Sequence, residues 1–505
     1  VNRGATPSLR YVMFAAESCA VPKDDIHRIH GRVRIAVAAT TAVAAMSSLL
    51  GGCGMLDDDT VVVNVGYQSK TINTINAGTL MRDLGEFEQA LDSIGERTGT
   101  SYRVVWQDFS SGAPLTAQMI ASHVDIGSMG DYPLLTNGSK TRPYDDARTA
   151  FVAATGYSLR GSLNQVVVPS ASDAQALEDL RGAQVSTSLG SAGDGMLRTA
   201  LERAGMSVDD IGIVNQDPSI GAAAIEGGQV DAMAQFVPWP QLTIFRDQAR
   251  LLYDGGDNEV PTFHGVVARE EFAEEHPEVM EAFTAAMVTT TQRLHDDPLG
   301  SAIRISEITG IEPEVVYLYN GPNGLVTFDP ALSPEFVDAL EAAKGYLVER
   351  GSVEEDFDIE GFVDESFVRD AFGDDYDRRR DETTTPNALT GTDEMCGLPV
   401  DDPGTASEVW FAGETETVVA ATPSCLLSRI ASSGSHVRAA YVPDAVTGTK
   451  LFADHATWVA DPAAPPSSRY LPFATAAGAA EYRAEHATTV TVSYEDALAE
   501  AHPTN

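Results

Sequence analysis

Three short stretches of serine and glycine have the residue types that bind small anions without a charged side chain. They are Ser110-Ser111-Gly112, Ser128-Met129-Gly130 and the run from Ser188 to Gly193. Backbone N–H groups in such loops, and in the first turn of a helix, donate hydrogen bonds to an anion at the positive end of the helix dipole. The residues predicted to contribute are Ser111, Gly112, Ser128, Gly130, Gly190 and Ser191.

Aromatic and polar residues elsewhere in the chain are further candidates for ligand contacts. Tyr157 and Trp239, the latter between two prolines, have rings that can stack on a ligand or form a wall of its site. His264 can donate a hydrogen bond to an anion, and the alternative is a structural histidine. Four polar side chains at expected strand ends complete the set: Gln68, Ser69, Asn164 and Gln235.

Asp131 follows Gly130 directly and restricts the chemistry of the ligand if its side chain faces the site. A carboxylate in a cleft of low dielectric constant repels bare nitrate strongly. The ligand then has to carry a donor or a positive end beside its anionic end, as an aminosulfonate does. In the alternative, Asp131 caps the helix that begins near Pro133 and says nothing about the ligand.

A second group of candidate residues lies in the last quarter of the chain and offers sulfur ligands to a soft metal. Thiolate and thioether sulfurs suit Cu(I), and the predicted set is Met395, Cys396 and Cys425. Weaker additions to this set are His436, His455 and His486. The alternative is a disulfide between the two cysteines, which an oxidising exterior favours. The spacing in sequence does not decide between the two.

Composition and motifs exclude two classes of function. The 505 residues include 33 Lys and Arg against 74 Asp and Glu, a formal net charge of −41, whereas nucleic-acid binding requires a basic surface. Acidity of this breadth is typical of a solvated surface that keeps an exported protein soluble. The sequence has no Gly-x-Ser-x-Gly, no His-Glu-x-x-His and no P-loop Gly-Lys-Ser/Thr. We therefore expect a protein that is not an enzyme and has no nucleic-acid partner.

The N-terminal region has the features of an export signal with a lipid-attachment site. A basic stretch at 27–34 precedes an apolar run at 35–50, which is shorter than the roughly 20 residues that a membrane-spanning helix needs. Leu50-Gly-Gly-Cys53 follows and resembles a bacterial lipobox, and the alternative is an ordinary secretory signal with an incidental cysteine. The lipobox predicts that residues 1–53 form a signal region cleaved before Cys53. The mature protein is then anchored by lipid to the outer face of the cytoplasmic membrane.

Strands that alternate with helices predict an α/β architecture in two lobes. Val61–Gly66, Tyr102–Gln107 and Gln184–Thr187 have strand patterns, each followed by a loop and a helix, which is typical of a mostly parallel sheet. The segments 117–126 and 222–232 both run from a helix into a Val-Asp strand, and an aromatic loop with proline follows each. This repetition predicts two lobes with a ligand cleft between them.

Changes in composition set the predicted domain boundaries. The two-lobed domain covers residues 60–372, with lobe 1 at about 60–150 and 265–372 and lobe 2 at about 151–264. Strands near 150–155 and 265–268 are the expected crossings between the lobes. Residues 373–394 are rich in charge and poor in apolar side chains, which is typical of a flexible linker. Residues 395–505 are predicted to form a small α+β domain, called the tail below.

Several of these motifs resemble substrate-binding proteins of ABC importers for nitrate, sulfonates and taurine. The resemblance covers about residues 60–372 and rests on Trp106-Gln-Asp-Phe-Ser-Ser-Gly-Ala-Pro114, Val124-Asp-Ile-Gly-Ser-Met-Gly-Asp-Tyr-Pro133, Ser186-Thr-Ser-Leu-Gly-Ser-Ala192, Val237-Pro-Trp-Pro240 and Thr262-Phe-His-Gly265. It implies a two-lobed periplasmic-binding-protein-like fold of type II that closes on a small anionic or zwitterionic solute and needs no cofactor. It also implies docking of the loaded, lipid-anchored protein onto a permease driven by an ATPase.

The tail resembles a different family, the NosL lipoproteins of nitrous oxide reductase copper maturation. The motifs are Met395-Cys396-Gly397, Ala439-Ala-Tyr-Val-Pro-Asp444, Leu471-Pro-Phe473 and Ala479-Ala-Glu-Tyr-Arg-Ala-Glu-His486. This resemblance implies that the tail binds Cu(I), and a copper-handling lipoprotein is therefore the alternative function. An enzyme on the same two-lobed fold is a third hypothesis, against which the missing catalytic motifs argue.

Overall fold

The structure is a computed structural model that describes residues 60–383 and 387–501. The predicted signal region and Cys53 lie outside these residues. In the described ranges no helix combines the length and the apolar character needed to cross a membrane.

Two mixed β-sheets form the framework of the first part of the chain. Their strands are β1 (Thr60–Tyr67), β2 (Ser101–Asp108), β3 (Ile126–Gly130), β4 (Thr149–Ser158), β5 (Asn164–Pro169), β6 (Gln184–Thr187), β7 (Gly212–Asn215), β8 (Ala232–Phe236), β9 (Ala249–Asp254), β10 (Thr262–Arg269) and β11 (Thr327–Phe328). The first sheet has the order β11-β4-β10-β3-β1-β2, and the second has the order β7-β6-β8-β5-β9. In each sheet three parallel strands are extended by antiparallel ones, so the sheets are mixed and not mostly parallel as predicted.

Helices cover these sheets. They are α1 (Thr79–Leu84), α2 (Glu86–Thr98), α3 (Gly112–Ile120), α4 (Asp131–Thr141), α5 (Ala192–Arg203), α6 (Pro218–Glu226), α7 (Trp239–Phe245), α8 (Glu270–Glu275), α9 (Pro277–Asp296), α10 (Pro298–Thr309), α11 (Pro313–Asn320), α12 (Pro334–Glu349), α13 (Ser366–Phe372) and α14 (Tyr376–Asp381). Several begin with proline, whose fixed φ suits the first helical position and whose missing N–H would have no partner there.

Local sequence explains why β1 is central to the first sheet. Val61, Val62, Val63 and Val65 are β-branched, and such side chains favour extended backbone. Val63 and Val65 are buried in the hydrophobic core of lobe 1. β1 therefore lies between β2 and β3 with both edges paired, and its carboxyl end leads directly to Gln68.

Two short segments connect the lobes, namely 159–163 between β4 and β5 and 255–261 between β9 and β10. The strands that we predicted to cross between lobes, at 150–155 and 265–268, instead lie in β4 and β10 and pair with each other inside the first sheet. Both strands are buried along most of their length, which favours pairing over an exposed crossing. Lobe 2 is therefore shorter than the predicted range of 151–264.

The tail is an antiparallel α+β domain. Its strands are β12 (Gly391–Asp393), β13 (Leu398–Val400), β14 (Ser407–Phe411), β15 (Val418–Ala420), β16 (Val437–Pro443), β17 (Lys450–Phe452), β18 (Thr457–Ala460), β19 (Tyr470–Phe473) and β20 (Val490–Val492). Its helices are α15 (Pro423–Ser433), α16 (Ala476–Glu485) and α17 (Tyr494–Glu500). The sheets have the orders β12-β13, β15-β14-β16-β17 and β19-β18-β20.

The predicted flexible linker at 373–394 is largely structured. It contains α14, in which Tyr376 is fully buried and donates a hydrogen bond to Glu365 over 2.9 Å. Arg379 forms an ion pair of 3.1 Å with Asp329, a buried carboxylate of the two-lobed domain. The charged composition suggested a solvated chain, but one buried aromatic ring and complementary charges hold the helix against the domain.

The tail shares a hydrophobic core with the two-lobed domain. Trp410, Tyr441 and Phe452 lie in one buried cluster with residues of α7 and α11. A buried ion pair reinforces this contact, because Lys450 Nζ lies 2.6 Å from Glu408 and Tyr317 of α11 donates to the same carboxylate over 2.8 Å. The charges are paired and hydrogen-bonded, as buried ions require.

Candidate functional site

A cleft of about 520 Å³ lies between the two lobes. Lobe 1 contributes Gln68, the first turn of α3, Gly130 and His264 to its walls, and lobe 2 contributes the loop 188–192. Gln68, α3 and the loop 188–192 follow the carboxyl ends of β1, β2 and β6, and Gly130 is the last residue of β3. Open α/β sheets place their ligand sites at these ends. His264 lies near the amino end of the antiparallel strand β10.

Two helices direct their N-terminal ends into the cleft. α3 begins after Ser111 and α5 begins after Ser191, and both serines line the cleft together with Gly112 and Ala192. Ser191 Oγ accepts from the N–H of Asp194 and caps α5 at 3.4 Å. The first amides of a helix have no acceptor inside the helix and carry partial positive charge. The cleft therefore presents amide donors from both lobes to an anion.

His264 lies in the cleft wall as a neutral side chain. It is 4% exposed, and this burial lowers the pKa of its imidazole to about 3. Its Nδ1 contacts the side-chain amide nitrogen of Asn73, and its Nε2 lies against the Cα of Gly130, where a Cβ would be only 3.1 Å away. The contact with Asn73 holds the ring on its Nδ1 side, and Nε2 faces Gly130.

Asp131 does not face the cleft, so its predicted restriction on the ligand does not apply. It is the first residue of α4 and is 3% exposed. Its oxygens accept from the N–H of Tyr132 at 2.8 Å, from the Thr262 hydroxyl at 2.9 Å and from the Phe263 N–H at 3.3 Å. Burial raises the pKa of this carboxyl to about 6.

Three other predicted contacts are buried behind the cleft. Asn164 donates to the Thr262 hydroxyl over 3.1 Å, and it meets Asp131 at the hinge through that hydroxyl. Gln235 donates to Ser188 Oγ over 3.0 Å and so supports a residue that does line the cleft. Ser128 is buried in β3, and its backbone carbonyl accepts from Gln68 Nε2 at 3.0 Å.

Ser69 and the two predicted aromatic residues are turned away from the cleft. The Ser69 N–H and hydroxyl both bind the Asp108 carboxylate, at 2.9 and 2.7 Å. Tyr157 lies in the core, 4% exposed, with its ring 5.2 Å from that of Phe336 in α12. Trp239 packs against two hydrophobic clusters at the start of α7. Both rings gain more from burial against apolar side chains than they would at a polar cleft wall.

Several cleft residues were not predicted from the sequence. Asn215 and Phe236 line it at the ends of β7 and β8, and the rule for carboxyl strand ends would have found them. Lys140 and Asp217 are the charged side chains among the described lining residues, apart from the neutral His264. Apolar side chains form much of the remaining wall: Ala113, Ala117, Ile120, Pro133 and Leu189.

The two tail cysteines are joined in a disulfide between Cys396 and Cys425, with their Cα atoms 6.0 Å apart. Asp393 lies beside them, but its carboxylate accepts from the N–H groups of Met395 at 2.8 Å and Ala421 at 3.0 Å. The disulfide alternative is thus the one that the structure contains. Neither sulfur is a thiolate in this form, so the predicted Cu(I) set of Met395, Cys396 and Cys425 has lost its two strongest ligands.

Comparison with known proteins agrees with the fold. Residues 144–301 match the family described as NMT1/THI5 like. A protein of Bacillus subtilis (strain 168) named for binding aliphatic sulfonates is 24% identical over 342 residues, which cover 65% of this chain and 95% of that protein. The taurine-binding periplasmic protein of Escherichia coli (strain K12) is 27% identical over 231 residues, which cover 45% of this chain and 68% of that protein.

A solved structure shows the same two-lobed arrangement. The alkanesulfonate-binding protein SsuA from Xanthomonas axonopodis pv. citri, bound to MOPS, superposes with a TM-score of 0.50 at 22% identity. The match covers 60% of this chain and 98% of that protein, and it confirms the predicted binding-protein fold.

Proposed function

We propose that this chain is the solute-binding component of an ABC importer and that it captures a small organic anion of the sulfonate class. The main support for this proposal is that the N-termini of two helices, α3 and α5, line the same cleft between the lobes. An anion held there receives amide hydrogen bonds from both sides, so binding favours closure of the lobes. His264 adds a neutral donor that does not depend on pH in the physiological range.

The walls of the cleft support an organic anion rather than bare nitrate. The cavity is far larger than a three-oxygen anion, and the side chains of Ala117, Ile120 and Phe236 offer apolar surface to an alkyl group. Burial of each CH₂ group contributes about 0.8 kcal/mol. Asp217 lines the same cleft and is suited to the ammonium group of a zwitterion such as taurine.

Calorimetric titration of the full chain with ethanesulfonate, taurine, nitrate and sulfate tests this proposal. We expect the two sulfonates to bind and nitrate to bind more weakly than either. Taurine differs from ethanesulfonate by one amino group. Asp217→Asn should therefore lower the affinity for taurine and leave the affinity for ethanesulfonate unchanged. Absence of heat and of thermal stabilisation with every one of these anions would reject the proposal.

The proposed role is binding without chemistry. The described residues that line the cleft include serines but no cysteine, and a histidine whose pKa is about 3 is too weak a base to activate a serine at neutral pH. Recovery of unchanged ethanesulfonate and taurine after prolonged incubation, measured by NMR, is the expected result. Formation of sulfite or of any other product would show an enzyme.

Attachment to the membrane is part of the proposal and rests on the lipobox-like Leu50-Gly-Gly-Cys53. A lipid anchor would keep the binding protein beside its permease. Labelling of cells with radioactive palmitate should mark the wild-type chain and leave Cys53→Ser unlabelled. The copper alternative is not part of the proposal, because Cys396 and Cys425 are joined in a disulfide.

A further inference from the structure

One carboxylate in lobe 2 connects the cleft loop to lobe 1. Asp194 is fully buried in the first turn of α5. Its Oδ2 accepts from the N–H of Gly190, a cleft residue, at 2.9 Å, and it also accepts from the hydroxyl of Tyr346. Its Oδ1 accepts from Arg198 Nε at 3.2 Å, so the charge is paired.

Tyr346 belongs to the other lobe. It lies on α12, whose residues Ala339, Leu340 and Leu347 are buried in the core of lobe 1. The Arg198 guanidinium carbon lies 5.1 Å from the centre of the Tyr346 ring, so cation and ring are also in contact. The tyrosine therefore reaches across from lobe 1 to a buried charge in lobe 2.

We infer that Asp194 is a positioning residue for the ligand-binding loop and that its hydrogen bond with Tyr346 couples that loop to closure of the lobes. This inference rests on the proposed function. The pair, called the Tyr346–Asp194 latch below, does not touch the ligand. It acts through the loop 188–192, because the Gly190 N–H donates to Asp194 and this bond fixes the backbone of a loop that lines the cleft.

Separation of the lobes breaks the hydrogen bond between Tyr346 and Asp194. Opening removes the Tyr346 hydroxyl from the Asp194 carboxylate, and a hydrogen bond to a charged group is stronger than one between neutral groups. Burial and the Asp194 charge raise the pKa of Tyr346 to about 12, so the phenol keeps its proton and donates at physiological pH. Any loss of the closed population lowers the apparent affinity for a ligand that binds the closed state.

Tyr346→Phe tests the latch because it removes the hydroxyl and keeps the ring over Arg198. We expect the dissociation constant for ethanesulfonate to rise about tenfold, and small-angle scattering to show a larger radius of gyration for the ligand-free chain. The matched control is Tyr144→Phe, which removes the same hydroxyl from an exposed tyrosine of lobe 1. The control should change neither quantity.

A double-mutant cycle separates coupling from a general structural effect. In an Asp194→Asn background, Tyr346→Phe should have much less than its tenfold effect, because the acceptor charge is already gone. Equal effects of Tyr346→Phe in both backgrounds, or an unchanged radius of gyration and affinity, would overturn the inference. If the wild-type chain binds no anion, the proposed function fails, and scattering of the ligand-free variants still decides the latch.

Discussion

Two cavities of similar size differ sharply in their chemistry. The cleft between the lobes measures about 520 Å³, and a second cavity of about 560 Å³, the lobe–tail groove, lies between lobe 2 and the tail. The lobe–tail groove is lined by six carboxylates: Glu178, Asp254, Asp257, Asp444, Glu481 and Glu485. The cleft has Asp217 as its one carboxylate among the described lining residues.

The difference shows that net charge does not predict the site. A chain with a formal charge of −41 has a cleft whose charged side chains, among the described lining residues, are one lysine and one aspartate, Lys140 and Asp217. The backbone N–H groups of the helix N-termini add positive potential locally. The acidic excess lies elsewhere, for example in the groove. There, burial and the neighbouring Asp257 raise the pKa of Asp254 to about 6, whereas burial lowers that of His264 in the cleft to about 3.

The largest expected effect comes from placing a carboxylate in the cleft. Ala113 is the second residue of α3 and lines the cleft, and Ala113→Glu adds a negative charge where the ligand anion should lie. Repulsion between two charges about 4 Å apart at an effective dielectric constant of 20 is about 4 kcal/mol. We expect ethanesulfonate affinity, measured by calorimetry, to fall more than a hundredfold.

Ala477 provides the matched control for that substitution. It is the second residue of α16, is exposed like Ala113 and lines the lobe–tail groove. Ala477→Glu should leave ethanesulfonate affinity unchanged. If Ala477→Glu lowered the affinity for ethanesulfonate as much as Ala113→Glu does, the proposed difference between the two cavities would be wrong.

The second prediction concerns stability and pH in the groove. Asp254 binds its proton more tightly in the folded chain, at about 6, than the usual 3.8, so its contribution to folding is present below pH 3.8 and is lost as the pH rises through 6. Because of this group, the free energy of unfolding should fall by about 2 kcal/mol as the pH rises from 4 to 7. Denaturant titrations should show that cost in the wild type and not in Asp254→Asn. If the unfolding free energy depended on pH in the same way in both proteins, the assignment of this cost to Asp254 would be contradicted.

The third and smallest effect tests the histidine donor. His264→Gln removes the imidazole N–H from the cleft wall, and one neutral hydrogen bond contributes about 1 kcal/mol, so ethanesulfonate affinity should fall about five- to tenfold. His486→Gln is the control, because His486 is exposed on the tail, where its ring stacks on Tyr482 at 3.9 Å. A wild-type affinity in His264→Gln would assign this histidine a structural role only.

The sequence predicted the frame of the molecule better than the directions of single side chains. The strands at 61–66, 102–107 and 184–187 and the serine-glycine loops were found because valine runs and small-residue turns are local signals. Ser111, Gly112, Gly130, Gly190 and Ser191 all line the cleft. That they bind the ligand remains a prediction.

The predicted directions of side chains differ from the structure where tertiary packing decides where a side chain points. Tyr157 and Trp239 were expected at the cleft, but α12 and the hinge-side core cover their rings. Asp131 follows a cleft glycine, yet it turns inward to donors from β10 that lie more than 130 residues away in sequence. The structure of the 373–394 segment depends in the same way on Asp329 and Glu365, partners that composition does not reveal. The NosL resemblance of the tail likewise remains a prediction.

A crystal structure of the full chain grown with ethanesulfonate tests the central claim most directly. The account predicts the sulfonate in the cleft, with its oxygens within hydrogen-bonding distance of the first amides of α3 or α5. Ethanesulfonate bound in the lobe–tail groove, or a cleft that stays filled with water at saturating ligand, would contradict it.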